Sequence, residues 1–364
     1  MHPARGWWRH ARIVPIHSTR AAIPARALAR RRLRPQNDGV IPIPLRGLLL
    51  SASLALLSAA ALAAPVAAHG DEAPVPDLPG VLLAWRFDPV PLIGVVLLAV
   101  AYLWAVRGVA ARHPRNPPRA WRTWTFLAGL AAILVALCSP IEAYEGQLFS
   151  VHMVQHMLLE LVAAPLLLLG APTTLALRVA SPPVRRWLLQ VLHSRAVAVL
   201  TFPLLTWVLF AGVNWGWHFS TLYDQALENP PLHYLQHATF LVAALLFWWP
   251  VVGADPGRWR LPYPVRLFYL FLAMPQNSFL GVALMSAPAV LYQHYATNLR
   301  DWGPTAIADQ NLGGILMWVF GDVAFLIGMG AVVAGWARHE DRRTARLDAR
   351  LDAEQARREG RATG

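Results

Sequence analysis

The sequence predicts an all-α integral membrane protein, a seven-transmembrane-helix bundle preceded by an N-terminal signal or anchor segment. Three observations support this fold class. The 364 residues are 56% hydrophobic and only 14% charged, whereas soluble domains carry roughly a quarter charged residues. The mean hydropathy is +0.40, and the apolar residues fall into runs close to the ~20 residues that a helix needs to cross the hydrocarbon. The charged residues are concentrated at the chain ends and in short loops, which is how membrane topology is encoded.

The beginning of the chain has the composition of a leader. Residues 1–46 contain ten Arg and one acidic residue. An apolar stretch starts at Gly47 and ends in small residues at Ala68, which is the pattern of a secretory signal peptide. Cleavage after Ala68 would leave His69 as the mature N-terminus, and an uncleaved anchor helix is the alternative.

Four parts of the chain are therefore expected: an Arg-rich leader and signal-like segment at 1–68, an extracytoplasmic Pro-rich segment at 69–89, a seven-helix membrane domain at 90–336 and a charged cytoplasmic tail at 337–364. Helices are expected in the membrane domain because they satisfy their own backbone hydrogen bonds in lipid, and its apolar runs are too long for barrel strands. We place the seven spans near 90–108, 122–139, 152–175, 197–214, 233–252, 264–286 and 311–335.

The distribution of arginine predicts the orientation. Alternate loops are rich in Arg: 107–122, 178–195 and 258–266. The intervening loops contain one Arg between them, Arg300. The positive-inside rule therefore places the Arg-rich loops and the C-terminal tail in the cytoplasm and the mature N-terminus outside. We expect a multi-pass protein of the bacterial plasma (inner) membrane. Because the net charge of +12 encodes topology, no nucleic-acid partner is expected, and the surrounding partner is the lipid bilayer.

A His-x-x-Gln-His element occurs twice, each time at the outer end of a predicted span. The first pair is His152 and His156, and the second pair is His233 and His237. Residues i and i+4 of a helix lie on one face about 6 Å apart. Two such pairs on neighbouring helices would bring four imidazoles to one metal ion, and imidazole suits copper, zinc and iron.

Three further residues accompany the first pair. The thioethers of Met153 and Met157 would bias the site toward cuprous copper. Glu160 extends the stripe of His152 and His156 by one more turn, and an ionisable group at that depth is a functional candidate by default. The predicted metal ligands are therefore the four histidines with Met153, Met157 and Glu160.

Other polar residues of the bundle and its outer loops are secondary candidates: His218, His294, His69, Asp309, Asp322 and Asn277. His218 and His294 lie in aromatic outer loops, and His69 would chelate copper through its amine and imidazole if it were the mature terminus. Asp322 would pair with a neighbour or relay a proton or ion. Cys138 is the single cysteine, so no intrachain disulfide or Cys-x-x-Cys site is possible.

These motifs resemble those of the CtaG-type cytochrome c oxidase assembly factors, the family linked to caa-type oxidases. The resemblance rests on His152-Met-Val-Gln-His156-Met, His233-Tyr-Leu-Gln-His237, Met274-Pro-Gln-Asn277-Ser-Phe-Leu-Gly281 and Asp309-Gln-Asn-Leu-Gly-Gly314-Ile-Leu-Met-Trp318-Val-Phe-Gly-Asp322. It covers roughly residues 80–335. It implies a seven-helix membrane protein that matures cytochrome oxidase, has oxidase subunits as partners and has a proposed role in copper supply.

The expected function is that of a cytochrome c oxidase assembly factor that binds copper at the outer face and supplies or positions it for oxidase subunits. An enzyme is not expected, because no nucleophile–base pair or phosphate loop occurs. Two alternatives remain: a haem protein with axial histidines across helices, and a metal permease lined by Asp322, Asn277 and Glu160. A retinal-type receptor is excluded, because no Lys is present to form the Schiff base.

Overall fold

The computed structural model of the protein describes residues 78–298 and 300–362, and this part of the chain is helical, with no strand. In chain order its helices are α1 (Leu78–Leu83), α2 (Pro89–Arg112), α3 (Ala120–Cys138), α4 (Pro140–Tyr144), α5 (Phe149–Met157), α6 (Ala164–Leu169), α7 (Pro172–Val179), α8 (Pro182–Leu192), α9 (Arg195–Leu200), α10 (Pro203–His218), α11 (Leu222–Glu228), α12 (Pro230–Val252), α13 (Tyr263–Met285), α14 (Gln293–Thr297) and α15 (Ala306–Ala362). A π-helical segment, Leu158–Ala163, joins α5 to α6. The predicted leader at 1–68 and His69 lie outside the described residues.

Six helical segments of the described chain are long and apolar enough to cross a membrane: Pro89–Arg112, Ala120–Tyr144, Phe149–Val179, Pro230–Val252, Tyr263–Met285 and Ala306–Glu359. They correspond to six of the seven predicted spans. The protein is therefore a multi-pass membrane protein by the length and composition of its helices.

The fourth predicted span, 197–214, is divided in two. Helix α9 ends at Leu200 and α10 begins at Pro203. Proline has no N–H and disfavours helical geometry in the residue before it, and Phe202 is extended here, with φ −66° and ψ 124°. The 16 residues of α10 are fewer than the ~20 that span the hydrocarbon without thinning or tilt. A seventh span therefore stays a prediction.

The segment Phe149–Val179 lies at the centre of the bundle. In its most apolar stretch 56% of the residues are buried, whereas the corresponding share for Pro89–Arg112 is 17%. Two apolar cores meet on this segment: Met157 packs in one and Leu159 in the other. Groups that it carries are therefore shielded on several sides by other helices.

The same segment contains a local change of helical pitch. The π-helical residues Leu158–Ala163 directly precede α6, which has Pro165 in its first turn. Because Pro165 lacks an N–H and its ring clashes with the carbonyl four residues earlier, the regular α-helical pattern is interrupted here. Glu160 lies within this π-helical segment, so its position relative to the histidine face of α5 does not follow from the α-helical period.

Helices α13 and α15 approach each other closely through glycine. A Cβ atom built on Gly281 would lie 2.7 Å from the carbonyl oxygen of Gly314, and one built on Gly314 would lie 2.6 Å from the backbone nitrogen of Met285. Small residues permit such contacts between helices in a membrane. Beyond this contact α15 continues to Ala362 as one helix, and its residues from Arg338 to Glu359 are exposed.

Candidate metal centre

The first histidine pair lies on α5, and a distant carboxylate caps the start of this helix. The backbone N–H of Phe149 donates to Oδ2 of Asp309 at 2.6 Å, and the hydroxyl of Ser150 donates to Oδ1 of the same side chain. His152 and His156 follow one helical turn apart, and their ring centroids are 4.3 Å apart. Asp309, a secondary candidate, therefore anchors the helix that carries the histidines.

The second pair lies at the start of α12. Asn229 precedes this helix, and its side chain accepts a hydrogen bond from the N–H of Leu232 at 3.3 Å, as an N-cap residue does. The following Pro230 is favoured at a first helical position because its missing N–H needs no partner there. His233 and His237 then point from one face of α12, with ring centroids 4.2 Å apart.

The four imidazoles form one buried cluster. The centroids of His152 and His233 are 5.3 Å apart, and those of His156 and His237 are 5.5 Å apart. Each of the four residues is at most 7% exposed. The helical spacing predicted that each pair would share a face, and the structure brings the two faces together.

Glu145 lies beside the two histidines that begin the pairs, His152 and His233. Its Oε2 atom lies 3.5 Å from Nδ1 of His152 and 3.9 Å from Nε2 of His233, and only 1% of the residue is exposed. Burial raises the pKa of this carboxyl well above its usual range, and the neighbouring Glu142 raises it further. A cation bound between Glu145 and the imidazoles would offset the cost of burying this charge.

The spacing of ligand atoms suits a metal ion. One candidate atom from each of His152, His156 and His237 lies within 4.8 Å of the others, and the same holds for Glu145, His152 and His233. Imidazole nitrogens bind ions such as zinc at about 2.0–2.1 Å, so two ligands of one ion lie up to ~4 Å apart. Small side-chain rotations would close either group around an ion.

Three ring nitrogens of the cluster support this interpretation. Within residues 78–298 and 300–362, Nε2 of His152 and both ring nitrogens of His156 have no hydrogen-bond partner. A buried polar group without a partner costs about 1–3 kcal/mol. Coordination to a metal would satisfy these nitrogens, so the residues present fit an ion.

Two tyrosines orient His152. The hydroxyls of Tyr223 and Tyr295 each lie 3.0 Å from its Nδ1 atom, and the Tyr295 hydroxyl donates to the backbone carbonyl of Glu145 at 2.8 Å. Because a hydrogen bond to one ring nitrogen sets the role of the other, these contacts leave Nε2 of His152 for the cluster.

The remaining predicted ligands lie at different distances from the cluster. Met153 is fully buried, and its Sδ atom lies 3.5 Å from Nε2 of His218. The ring of His218 is 6.5 Å from that of His156, so both residues flank the imidazoles. Met157 packs in an apolar core. Glu160 accepts a hydrogen bond from Nδ2 of Asn214 at 3.0 Å and is not part of either candidate ligand group in the described chain.

The other secondary candidates lie away from the imidazoles. Nε2 of His294 is 2.8 Å from the carbonyl of Gly146. Asn277 donates to the carbonyl of Met317 at 3.0 Å, and Asp322 accepts from Ser278 at 2.9 Å. Asn277 and Asp322 therefore connect α13 with α15 rather than contribute to the candidate centre.

Sequence reasoning missed Glu145, Tyr223 and Tyr295. These residues lie in the segments between spans, where no helical period relates them to the histidines. One local signal existed for the carboxylate: Glu142 and Glu145 stand three residues apart, directly before the first histidine-bearing helix. The tyrosines had no comparable signal, because aromatic residues are common at membrane interfaces for other reasons.

Comparison with known proteins identifies the family. Uncharacterized proteins of Mycobacterium bovis and Mycobacterium tuberculosis are each 36% identical to the chain over 289 residues, and one of Mycobacterium leprae is 33% identical over 286 residues. These alignments cover 77%, 77% and 76% of this chain but 43% of each relative, so the chain spans less than half the length of the curated relatives it matches. No solved structure is significantly similar to it.

The family model of the cytochrome c oxidase caa3 assembly factors matches residues 100–339. The match contains both His-x-x-Gln-His elements and extends to the end of the last predicted span, which confirms the resemblance seen in the motifs. The chain therefore belongs to the cytochrome c oxidase caa3 assembly factor family.

Proposed function

We propose that the chain binds one copper ion between the imidazoles of His152, His156, His233 and His237 and the carboxylate of Glu145, and supplies or positions it for cytochrome c oxidase subunits. The observation that carries the proposal is that two buried groups of candidate ligands, His152–His156–His237 and Glu145–His152–His233, share His152, with ring nitrogens of His152 and His156 that no other described group satisfies. Glu145 takes the place that the sequence assigned to Glu160.

Copper is favoured by the ligand chemistry and by the family. Affinity of nitrogen and oxygen sites for divalent first-row metals is highest for copper. Met153 and His218, side by side at the edge of the cluster, would add a thioether and a fifth imidazole for cuprous copper. Neutral imidazoles release copper more readily than a thiolate cluster, and exchange of ligands with an oxidase subunit then becomes the transfer step.

The geometry favours an ion over haem. The ring centroids of neighbouring histidines are 4.2–5.5 Å apart, and axial haem ligands must instead lie on opposite sides of an intervening porphyrin.

The geometry also favours a protein that holds the metal ion over one that transports it. Glu160, Asn277 and Asp322 hydrogen-bond to Asn214, Met317 and Ser278 respectively, so these polar groups support helix packing.

The proposed orientation places the cluster at the outer face of a bacterial plasma membrane. The support is the separation of arginine-rich from arginine-poor loops, together with the position of both histidine pairs at the starts of Phe149–Val179 and Pro230–Val252. A cleaved signal peptide and a non-catalytic role belong to the same proposal.

The first experiment measures bound metal in the purified full chain. The protein is loaded with cuprous copper under reducing conditions, and its metal content is measured by elemental mass spectrometry. We expect one copper per chain. The absorption spectrum of the same sample is expected to show no Soret band. A variant with His152, His156, His233 and His237 all replaced by Gln is expected to lose the copper. A control with His113, His193 and His339 replaced by Gln, all outside the cluster, is expected to keep it.

Three outcomes would contradict the proposal: wild-type protein without copper, a four-histidine variant that retains copper, or a Soret band. Thermal unfolding of both variants shows whether a loss of copper reflects a loss of fold. Uptake of copper into vesicles that contain the wild-type chain would instead indicate a permease.

A further inference from the structure

A second group of charged side chains surrounds two adjoining cavities at the other end of the bundle. Arg178 lies near the end of the segment Phe149–Val179, whose beginning carries His152. The cavities have volumes of about 280 and 370 Å³, and Asn116, Thr174 and Arg178 line both. They lie where α2, α3 and α7 meet, at the opposite end of the segment Phe149–Val179 from the candidate metal centre.

The lining of these cavities is strongly basic. Arg119, Arg122 and Arg178 line the smaller cavity, and Arg185 with His113 lines the larger one; no carboxylate lines either. The guanidinium of Arg178 donates to the backbone carbonyl of Asn116, which holds this side chain at the wall that the cavities share.

The acidic group next to this wall is already engaged. Asp255 is 7% exposed, and its two carboxylate oxygens accept from the backbone N–H groups of Thr173 and Thr174 at 3.1 and 2.6 Å. It thereby caps the first turn of α7. At the smaller cavity, the positive charge of its three arginines therefore exceeds the negative charge.

Exposed aromatic residues place this region at a membrane–water boundary. Trp121 and Trp124 lie in the first turns of α3, beside Arg119 and Arg122, and are 45% and 70% exposed. The guanidinium of Arg122 lies 5.5 Å from the centroid of the Trp121 ring. Tryptophan is enriched at the level of lipid headgroups, so the cavity opens where headgroups lie.

We propose that the smaller cavity, lined by Arg119, Arg122 and Arg178, binds the phosphate group of an anionic ligand, and that the ligand is an anionic phospholipid of the surrounding leaflet. The guanidinium groups supply planar donors that match phosphate oxygens, and the neighbouring tryptophans would contact the glycerol and upper acyl chains. Basic pockets between transmembrane helices are suited to such headgroups. This site is independent of the proposed copper function.

The test uses native mass spectrometry of the full chain in detergent, titrated with phosphatidylglycerol and, separately, with phosphatidylcholine of the same acyl chains. We expect one phosphatidylglycerol per chain, and weaker retention of phosphatidylcholine. The double variant Arg119→Gln with Arg178→Gln is expected to weaken phosphatidylglycerol binding roughly ten- to thirty-fold. The reason is that each basic residue near an anionic lipid headgroup adds to the free energy of lipid binding. The control, Arg107→Gln with Arg186→Gln, removes the same charge from exposed positions outside both cavities and is expected to retain the lipid.

Equal weakening in the two double variants would overturn the proposal, because surface charge alone would then explain binding. Because Arg178 also bonds to Asn116, the single variant Arg119→Gln, at an exposed side chain, tests the cavity without that contact; unchanged lipid retention there would also overturn it. Inorganic phosphate is the third probe. If only other anionic lipids displace phosphatidylglycerol, the ligand is a lipid. If inorganic phosphate binds equally well to the lipid-free chain, the proposal that the ligand is a phospholipid is wrong.

Discussion

At the residue scale, the candidate centre depends on which atom of each side chain faces the ion. Nδ1 of His152 is taken up by the hydroxyls of Tyr223 and Tyr295 and lies near Glu145, which leaves Nε2 for coordination. Outer partners of this kind fix the tautomer and orientation of a ligating histidine, and their loss typically costs about 10–100-fold in metal affinity. Two buried carboxylates differ in their surroundings: Glu145 lies beside His152, and Glu160 accepts a hydrogen bond from Asn214. Replacing each of them separately compares their effects on copper binding.

Replacing Glu145 by Gln preserves its shape and removes its charge. We expect Glu145→Gln to lower the affinity for copper about 10–100-fold, because its Oε2 atom lies between His152 and His233. Competition with a chromophoric chelator of known copper affinity measures the change.

The matched variant is Glu160→Gln, which changes another buried carboxylate, one that accepts a hydrogen bond from Asn214. It is expected to leave the affinity unchanged. An affinity that falls with Glu160→Gln and not with Glu145→Gln would assign the ligand role to Glu160, as the stripe on the helix predicted.

At the element scale, close packing of α13 on α15 positions the second half of the bundle. Gly281 and Gly314 allow the backbones to approach, and α15 then presents Asp309 to the start of α5. The packing of α13 on α15 therefore affects the position of α5, which carries His152 and His156. A helix that was displaced at the glycine contact would move the cap of the histidine-bearing helix.

A pair of glycine substitutions on one helix tests this contact. Gly314→Ala is expected to lower the free energy of unfolding by about 1–3 kcal/mol, because overpacking forces the backbones apart. Gly330→Ala, where a Cβ would meet nothing within 4 Å, is expected to be neutral or to stabilise by up to about 1 kcal/mol, since alanine favours helix.

Denaturant titration of the purified chain, followed by circular dichroism, measures both changes. Similar stabilities of the two variants would show that the close contact of α13 and α15 does not limit the packing of the bundle.

At the scale of the whole molecule, the two ends of the bundle have opposite chemistry. One end holds the buried imidazoles and Glu145, and the other holds the arginine-lined cavities. The positive-inside rule predicts that the arginine end is cytoplasmic, which would expose the metal centre to copper delivered from outside.

Labelling with a membrane-impermeant maleimide tests this orientation. In a Cys138→Ser background, Asp301→Cys and Asp348→Cys each place one thiol at an exposed position, the first in the loop between α14 and α15 and the second in the charged tail. Intact spheroplasts are expected to label Asp301→Cys, whereas Asp348→Cys is expected to react only after lysis. Labelling in the reverse pattern would contradict the proposed orientation and place the histidines at the cytoplasmic face.

The sequence predicted the spans and the histidine pairs because both depend on local regularities. Six spans follow from uninterrupted apolar runs, and the shared face of His152 and His156 follows from helical geometry alone. The structure departs from the expected pattern at two places where a local rule is interrupted. The fourth apolar run is divided before Pro203, so that its span stays a prediction, and the π-helical segment Leu158–Ala163 interrupts the α-helical period that relates Glu160 to His152 and His156.

By itself, the sequence determined that this is a helical membrane protein of the oxidase assembly family with two matched histidine pairs. Only the tertiary structure decided that the two pairs meet, that Glu145 joins them, that Tyr223 and Tyr295 orient His152, and that arginines from separate segments of the chain line one cavity. The physical reason is range: periodicity and charge distribution act within a segment, whereas the contacts of these side chains depend on how distant helices pack.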